Sequence, residues 1–357
     1  MDTSLRFLAV PNPGKTYRVV QWATGRIGVM SLRELINSPQ FELVGVYVHS
    51  EAKEGKDAGA LCGLPPVGVA ATRDIAKIIA LKPDCVVSTQ EGANLDDVCR
   101  FLEAGINIAT SRVDFLDPAY MDPEVRRRTE EACRKGGSSI HASGSSPGFS
   151  SEAMPLVMAS MSRRMDRMTI DEFADIPASC PDFQVLQMGF GRKEAGAFDP
   201  GLLHHIAHGF FQSVHVIATG LGISLDEIKA SGETANARER VILPGGTPIE
   251  KGSVAAQRIS IAGMLDGKPL IVFRINWYVT TKVDADWDLR RNGWRLLIEG
   301  DTPIEANISF PVSGEKLSPA MAGQTAYRVV NAVPYVCAAE PGIRTSLELP
   351  MIVPRMG

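Results

Sequence analysis

No stretch of the chain approaches the ~18 consecutive apolar residues that a bilayer-spanning helix needs. The start, Met1 to Lys15, has neither a basic head nor a long apolar segment. Neither a membrane span nor a secretory leader is expected, and the chain is read as cytoplasmic. It also lacks any Cys-x-x-Cys pair. Cys62, Cys85, Cys99, Cys133, Cys180 and Cys337 are scattered, which disfavours a zinc knuckle or a disulfide framework and suggests reduced packing residues. There is no block of basic residues either. Lys and Arg total 37 against 41 Asp and Glu, a formal net charge of −4, so electrostatic capture of nucleic acid or of an anionic membrane is not expected. Internal repeats and low-complexity tracts are absent as well. What remains is a small-molecule partner.

The composition is that of a folded protein: 357 residues, 45% hydrophobic and 22% charged, a length that predicts about two domains. In the first half, β-rich runs at Tyr17 to Ala23, Glu42 to Val48, Cys85 to Ser88, Ile106 to Thr110 and Ser139 to Ser143 alternate with helical patterns at Ile27 to Ile36, Ile75 to Ala80, Leu95 to Ala104 and Pro123 to Lys135. That rhythm predicts βαβ units, hence an α/β domain with a Rossmann-type doubly wound parallel sheet over 1–150. After about residue 150 a long helical stretch, Gly201 to Leu221, is followed by strand patterns. Ala256 to Leu265 and Leu270 to Val279 flank a turn containing Asp266-Gly267, a hairpin signal, and Trp294 to Glu299 and Ile304 to Phe310 continue an expected antiparallel meander. Residues 151–321 are read as an α+β domain with a mainly antiparallel sheet. Leu243 to Pro248 is taken as a surface loop within it. The tail, 322–357, is expected to pack back on the first domain, with a helix at Gln324 to Ala332 that stops before Pro334.

Between the first strand and the first helix stand Ala23-Thr24-Gly25-Arg26-Ile27-Gly28, a G-x-G-x-x-G pattern with alanine at its first position. Glycine at the second position lets the backbone approach a pyrophosphate, the third allows close helix packing, and the helix N-terminus offers N–H groups and partial positive charge. The alternative is an ordinary glycine turn of a doubly wound fold. At the end of the second strand, where an NAD site usually carries an acid for the ribose diol, stand His49 and Ser50, followed by Lys53 and Lys56. A hydroxyl and nearby cations, with Arg26 of the glycine-rich turn as an additional candidate, suit a 2′-phosphate, which favours NADP or dual use of NADP and NAD. Glu51 and Glu54 interleave with the lysines, so a solvated loop is the competing reading. Ser88 and Thr89, where the next strand ends, complete the cofactor candidates on this side. Beyond the last strand of the first half, Gly144-Ser145-Ser146-Pro147-Gly148-Phe149 lies where a doubly wound sheet presents ligand-facing loops. Gly144, Ser146, Pro147 and Phe149 are cofactor candidates, and a domain-crossing linker is the alternative.

These segments, with Leu43 to Ser50, Asp57-Ala58-Gly59 to Gly63, and the tail from Thr325 through Asn331-Ala332-Val333-Pro334 to Pro341-Gly342-Ile343, resemble the dihydrodipicolinate reductase-like oxidoreductases. Within these, the chain is most similar to the 2,4-diaminopentanoate dehydrogenase and native amine dehydrogenase group. The resemblance implies a Rossmann domain with an α/β substrate and dimerisation domain, a homodimer, and NAD(P)-linked interconversion of a carbonyl compound plus ammonia with an amine. Two departures qualify it. The reductases' His-His-x-x-Lys-x-Asp motif is replaced by His204-His205-Ile206-Ala207-His208-Gly209, which disfavours their dicarboxylate substrate. The amine dehydrogenases' Glu-Glu pair after the fifth strand is replaced by Val113-Asp114.

Asp114 is the only acid from Thr110 to Leu116 and is the first candidate for the amine-handling carboxylate. Its apolar neighbours Val113 and Phe115 are expected to desolvate it, and a turn aspartate before Pro118 is the bland reading. Glu172 and His141 are the other catalytic candidates. Asp171, Glu172 and Asp175 lie on a strand and its exit, where solvated edge charges are expected more than cleft residues. His204, His208 and His215 share a helix face, yet no ligand set is complete and no metal is expected. They are read as pocket wall, subunit contact or structural residues. Arg126-Arg127-Arg128, balanced by Glu130-Glu131, is read as a solvated helix face. Trp277, Tyr278, Trp287 and Trp294 are read as sheet packing.

Overall fold

The computed structural model describes residues 11–12, 14–90, 92, 94–193, 198–312 and 314–356. The first ten residues of the Met1 to Lys15 stretch lie outside them. The strands of the first half are β1 (Tyr17–Trp22), β2 (Phe41–Tyr47), β3 (Ala71–Thr72), β4 (Cys85–Ser88), β5 (Asn107–Thr110) and β6 (Ser139–Ala142), and its helices α1 (Arg26–Asn37), α2 (Ala58–Cys62), α3 (Ile75–Ala80), α4 (Leu95–Glu103) and α5 (Pro123–Gly136). Then follow α6 (Met154–Ala159), β7 (Met165–Asp175), α7 (Asp182–Gln187), α8 (Pro200–Gly220), β8 (Glu227–Asn236), β9 (Val241–Ile242), β10 (Pro248–Ile249), β11 (Val254–Leu265), β12 (Lys268–Tyr278), β13 (Gly293–Gly300), β14 (Ile304–Ser309), α9 (Leu317–Ala338) and β15 (Gly342–Arg344). They form two compact units, one of residues 1–149 with 321–357 and one of residues 150–320. Among the described residues, no helix is long and apolar enough to cross a membrane.

The first unit is built on a seven-stranded parallel sheet in the order β15-β6-β5-β4-β1-β2-β3. Its strands are short and apolar on both sides because both faces are covered. Val20, Val86, Ile108 and Ile140 join the core beneath α4 and α5, while Val19, Val87 and Ala109 join the core beneath α9. Leaving out the tail strand, the order 6-5-4-1-2-3 is that of a dinucleotide-binding sheet, with the reversal of strand order between β1 and β4. The tail helix does not stop before Pro334: α9 runs through it to Ala338. Proline removes one helical hydrogen bond, at ~3 kcal/mol. Val329, Val330, Val333 and Val336 are fully buried against the sheet, and each such burial stabilises by roughly 1.5–3 kcal/mol. Packing outweighs the local breaker.

The second unit carries a six-stranded mixed sheet, β14-β13-β7-β12-β11-β8, in which only β7 and β12 pair in parallel. This corrects the expected meander, because β7 inserts between β12 and β13. Asp266 (φ 51°) and Gly267 (φ 72°) make the two-residue turn between β11 and β12, the left-handed pair of a type I′ hairpin. One face packs on α8, where Phe210, Val214 and Ile217 meet Ile170, Ile259, Phe273 and Ile275. Leu243 to Pro248 caps a small hairpin of β9 and β10, fastened where Asp182 accepts from the amides of Gly245 and Thr247, each at 3.0 Å.

Candidate cofactor cradle and active-site carboxylates

The glycine-rich turn leaves the buried end of β1 at Ala23, whose φ of 70° is left-handed, a conformation that disfavours a side chain by roughly 1–2 kcal/mol. Buried Gln21 braces it. Its Nε2 donates to the carbonyls of Trp22 (3.2 Å) and Ala23 (2.9 Å) and to Thr89 Oγ1 (3.0 Å), and its Oε1 accepts from Ser31 Oγ at 2.7 Å. Gly25 is the N-cap of α1. No side chain caps this helix, its first turn contains no acid, and its first main-chain bond runs from Val29 N to Gly25 O. The amides of Arg26, Ile27 and Gly28 therefore precede the helical ladder, as an anion site requires. The two glycines differ in kind. A Cβ on Gly28 would overlap the Ala23 carbonyl oxygen and reach Thr89 Oγ1 at 2.9 Å, whereas a Cβ on Gly25 would meet nothing within 4 Å. Gly25 also has an ordinary φ of −75°. The fold needs Gly28, while the smallness of Gly25 serves a space outside the protein, so the residues fit a dinucleotide.

At the end of β2, His49 and Ser50 are exposed and open a short 3-10 turn, Glu51–Lys53. His49 Nε2 lies 2.8 Å from Gln90 Oε1, which also accepts from Trp22 Nε1. Lys53 turns back to the glycine-rich turn, its Nζ donating to Thr24 O at 2.8 Å and Thr24 Oγ1 at 3.0 Å. Glu54 pairs instead with Arg73 at 3.8 Å, so the interleaved acids do not neutralise Lys53 among the described residues. Ser88 and Thr89 are buried where β4 ends.

The second glycine loop is also braced within the first unit. A cis peptide joins Ser146 and Pro147, Gly148 has φ 124°, and a Cβ on Gly144 would lie 2.9 Å from the Pro147 carbonyl oxygen. Ser145 Oγ bonds Thr325 Oγ1 on α9 at 2.8 Å. From the same helix, Arg328 donates to Ser143 Oγ (3.3 Å) and to the Ile352 carbonyl (3.1 Å), and its guanidinium lies 5.7 Å from the Phe149 ring centroid. The bracing roles of Gln21, Thr325 and Arg328 escaped the sequence reading, which used Thr325 only as the start of the tail segment that carries the resemblance. Only the glutamine left a signal, as a polar residue in an otherwise apolar strand end.

Asp114 sits in a 3-10 turn, Val113–Phe115, beyond β5. Its side chain is 44% exposed and ion-paired with Arg112. Phe115 is buried, yet the apolar neighbours do not bury the carboxylate as expected, because the turn directs it toward solvent and Arg112. The turn-aspartate role before Pro118 belongs to Asp117, whose Oδ1 accepts from Ala119 N at 3.0 Å. His141, on β6, is 1% exposed, and its Nδ1–H donates to the Arg344 carbonyl at 2.7 Å. Burial lowers its pKa to about 4, a shift that the Arg344 carbonyl opposes. It is neutral at pH 7 and suits a positioning role better than a proton carrier.

Asp171 and Glu172 lie on β7 in the middle of the sheet, so they are not edge charges. Asp171 is buried and held by Arg274 (2.6 and 2.9 Å) and Arg295 (2.9 and 2.7 Å). Glu172 points to the α8 side, where its Oε2 accepts from Trp294 Nε1 at 3.3 Å. Burial pushes the Asp175 carboxyl up, against the pull of the Ala178 amide. The sequence reading also passed over Glu152, a buried carboxylate whose Oε1 accepts from Ser213 Oγ at 2.7 Å. His204 and His208 stand with ring centroids 6.3 Å apart, and among the described residues no group of three metal-ligating side chains forms.

Comparison with known proteins decides what this scaffold is. Residues 19–107 match the dihydrodipicolinate reductase N-terminus, and residues 186–357 match the 2,4-diaminopentanoate dehydrogenase C-terminal domain. Over most of its length the chain is similar to the dihydrodipicolinate reductase-like oxidoreductases. The oxidoreductase is 28% identical over 347 residues to an amine dehydrogenase of Streptomyces virginiae, a match covering 93% of this chain and 96% of the relative. A 4-hydroxy-tetrahydrodipicolinate reductase of Anaeromyxobacter is 29% identical over 117 residues, only 33% of this chain and 41% of the relative. The structure of an amine dehydrogenase from Mycobacterium smegmatis shares the fold, with a TM-score of 0.73, 18% identity, and coverage of 96% of this chain and 98% of that one. The oxidoreductase is thus an NAD(P)-dependent enzyme.

Proposed function

We propose that the enzyme interconverts an aldehyde or ketone plus ammonia with a primary amine, using NADP(H) in preference to NAD(H). One observation carries this reading. Likeness to the amine dehydrogenase extends over 93% of the chain, the second unit included, while likeness to the dihydrodipicolinate reductase stops after 117 residues. Substrate choice belongs to the part of the chain that follows the amine dehydrogenase.

The dinucleotide would be held by Ala23, Thr24, Gly25, Arg26, Ile27 and Gly28 at its pyrophosphate, by His49, Ser50 and Lys53 at its adenosine ribose, and by Ser88, Thr89, Gly144, Ser146, Pro147 and Phe149 toward its nicotinamide. When bound, the nicotinamide supplies or accepts the hydride. The protein supplies position and proton handling. Asp114 is assigned the carboxylate that orients ammonia or the substrate ammonium and takes its proton, with Glu172 the alternate. His141, neutral and tied to the tail, keeps β6 and the following loop in place. A homodimer belongs to the same reading, with the sheet face opposite α8, where Arg167, Arg274 and Glu305 line a groove, as its candidate surface. So do a cytoplasmic location and independence from nucleic acid, membrane and metal.

The test is NADPH oxidation with a panel of aldehydes and ketones, with and without ammonia. Turnover that requires ammonia is the expected result. Turnover without ammonia would select a carbonyl or imine reductase, and cofactor binding without turnover a silent NADP-sensing protein.

A further inference from the structure

Lys53 joins two parts of the cradle that the sequence keeps apart. Its backbone belongs to the 3-10 turn after β2, where Lys53 N bonds Ser50 O at 3.0 Å, at the ribose end. Its ammonium instead lies on the glycine-rich turn, held by the carbonyl and the hydroxyl of Thr24 at 2.8 and 3.0 Å. An ammonium has three donors and no acceptor. Thr24 engages two of them with neutral oxygens, which fix the direction of the charge without cancelling it. Beside it, Gly25 faces open space. Lysine is ordinarily a flexible point charge that loses rotamer entropy when fixed. Here that ordering is already present in the structure.

We propose that Thr24 is a specificity-determining residue for the coenzyme, acting through Lys53. The two form a clamp that presents a pre-positioned cation to a phosphate monoester on the adenosine ribose. This rests on the NADP reading above and goes beyond it, because it makes coenzyme choice depend on a residue of the glycine-rich turn as well as on the loop after β2. The ligand chemistry is a dianionic phosphate. A ribose diol, lacking that charge, gains little from the clamp.

The experiment measures dissociation constants of NADPH and NADH, at two salt concentrations, for the wild type, Lys53→Met, Thr24→Val, Thr24→Ser and the Lys53→Met/Thr24→Val double variant. Lys53→Met is expected to weaken NADPH by ~30-fold, within the range of a lost charge-assisted hydrogen bond, to leave NADH within about twofold, and to flatten the salt dependence of NADPH binding. Thr24→Val, which keeps shape and removes the hydroxyl while the Thr24 carbonyl still holds the ammonium, is expected to lower the preference for NADPH over NADH by about fivefold. Thr24→Ser should restore wild-type selectivity, and the double variant should match Lys53→Met, because the hydroxyl acts only through the ammonium. Equal weakening of both coenzymes by Thr24→Val, additive losses in the double variant, or NADPH binding indifferent to Lys53 would each overturn the clamp while leaving a wild-type preference for NADPH intact. A wild type without that preference would overturn the NADP reading and the clamp together.

Discussion

Gly25→Val separates what the fold needs from what the cofactor needs. The position has φ −75° and ψ −167°, an extended conformation that a β-branched residue adopts readily, and nothing lies within 4 Å of an added Cβ. The protein loses only the small N-cap advantage of glycine, about 0.5–1 kcal/mol. For a unit of this size that lowers Tm by ~2–4 °C per kcal/mol. The three added carbons occupy the space reserved for the pyrophosphate, so NADPH affinity should fall by at least ~100-fold, about 2.7 kcal/mol. Gly28→Ala makes the opposite trade. Its Cβ overlaps the Ala23 carbonyl, a main-chain clash of the kind that costs ~1–3 kcal/mol, and Tm should drop further while the anion site deforms only indirectly. Calorimetric titration and thermal melting of both variants check the contrast. Wild-type affinity in Gly25→Val, or a Tm loss as large as that of Gly28→Ala, would refute the assignment of the turn.

Ser50→Asp should reverse coenzyme preference, since a carboxylate repels the 2′-phosphate and accepts from the ribose diol; the ratio of kcat/KM for NADPH and NADH reads it, and an unchanged ratio counts against the site. Asp114→Asn should lower turnover by ~10² or more with coenzyme affinity and Tm nearly unchanged. The side chain is 44% exposed, so a large fall in Tm would mark a structural residue, and retained turnover would move the role to Glu172. His141 gives a pH signature. Its pKa falls from 6.5 in the unfolded chain to about 4 in the folded one. The folded state therefore resists protonation, and its stability is full above pH 6.5 and declines as pH falls toward 4. The loss amounts to about 2 kcal/mol at pH 5. Urea unfolding at pH 7 and pH 5 should show this difference in the wild type and lack it in His141→Gln; equal pH dependence would exclude the buried imidazole as the cause.

Much of the first unit was legible because a parallel sheet covered on both faces writes continuous β-branched runs, such as Val19-Val20 and Val86-Val87, and because the glycine pattern sits between strand and helix. The second unit was less so. Where β7 pairs depends on strands 100 or more residues away, as in the partnership of Asp171 with Arg274 and Arg295, and no local pattern encodes that. β8, an edge strand with a polar exposed side, resembles a loop in composition. Pro334 misled because a local breaker was weighed without the valines that hold its helix down. At the site, the backbone motif was visible, but the side chains that brace it were not. Gln21, Arg328 and the turn of Lys53 toward Thr24 are facts of tertiary distance, and the exposure of Asp114 follows from a 3-10 turn whose direction its apolar neighbours do not reveal.

The return of the tail to the first unit bears on how the chain is born. When residue 149 leaves the ribosome, the dinucleotide-binding sheet lacks the strand beside β6 and the helix over Val19, Val87 and Ala109. The missing pieces follow after residues 150–320, which at ~5–20 residues per second is roughly 10–35 s of synthesis. During that interval the part of one sheet face that α1 does not cover is bare, and β6 has an open edge. The nascent first half is thus a client for holding chaperones, whereas the second unit, continuous in sequence, can fold as soon as it emerges. A fragment ending at residue 149 should bind a hydrophobic dye and aggregate, and supplying residues 321–357 in trans should suppress both.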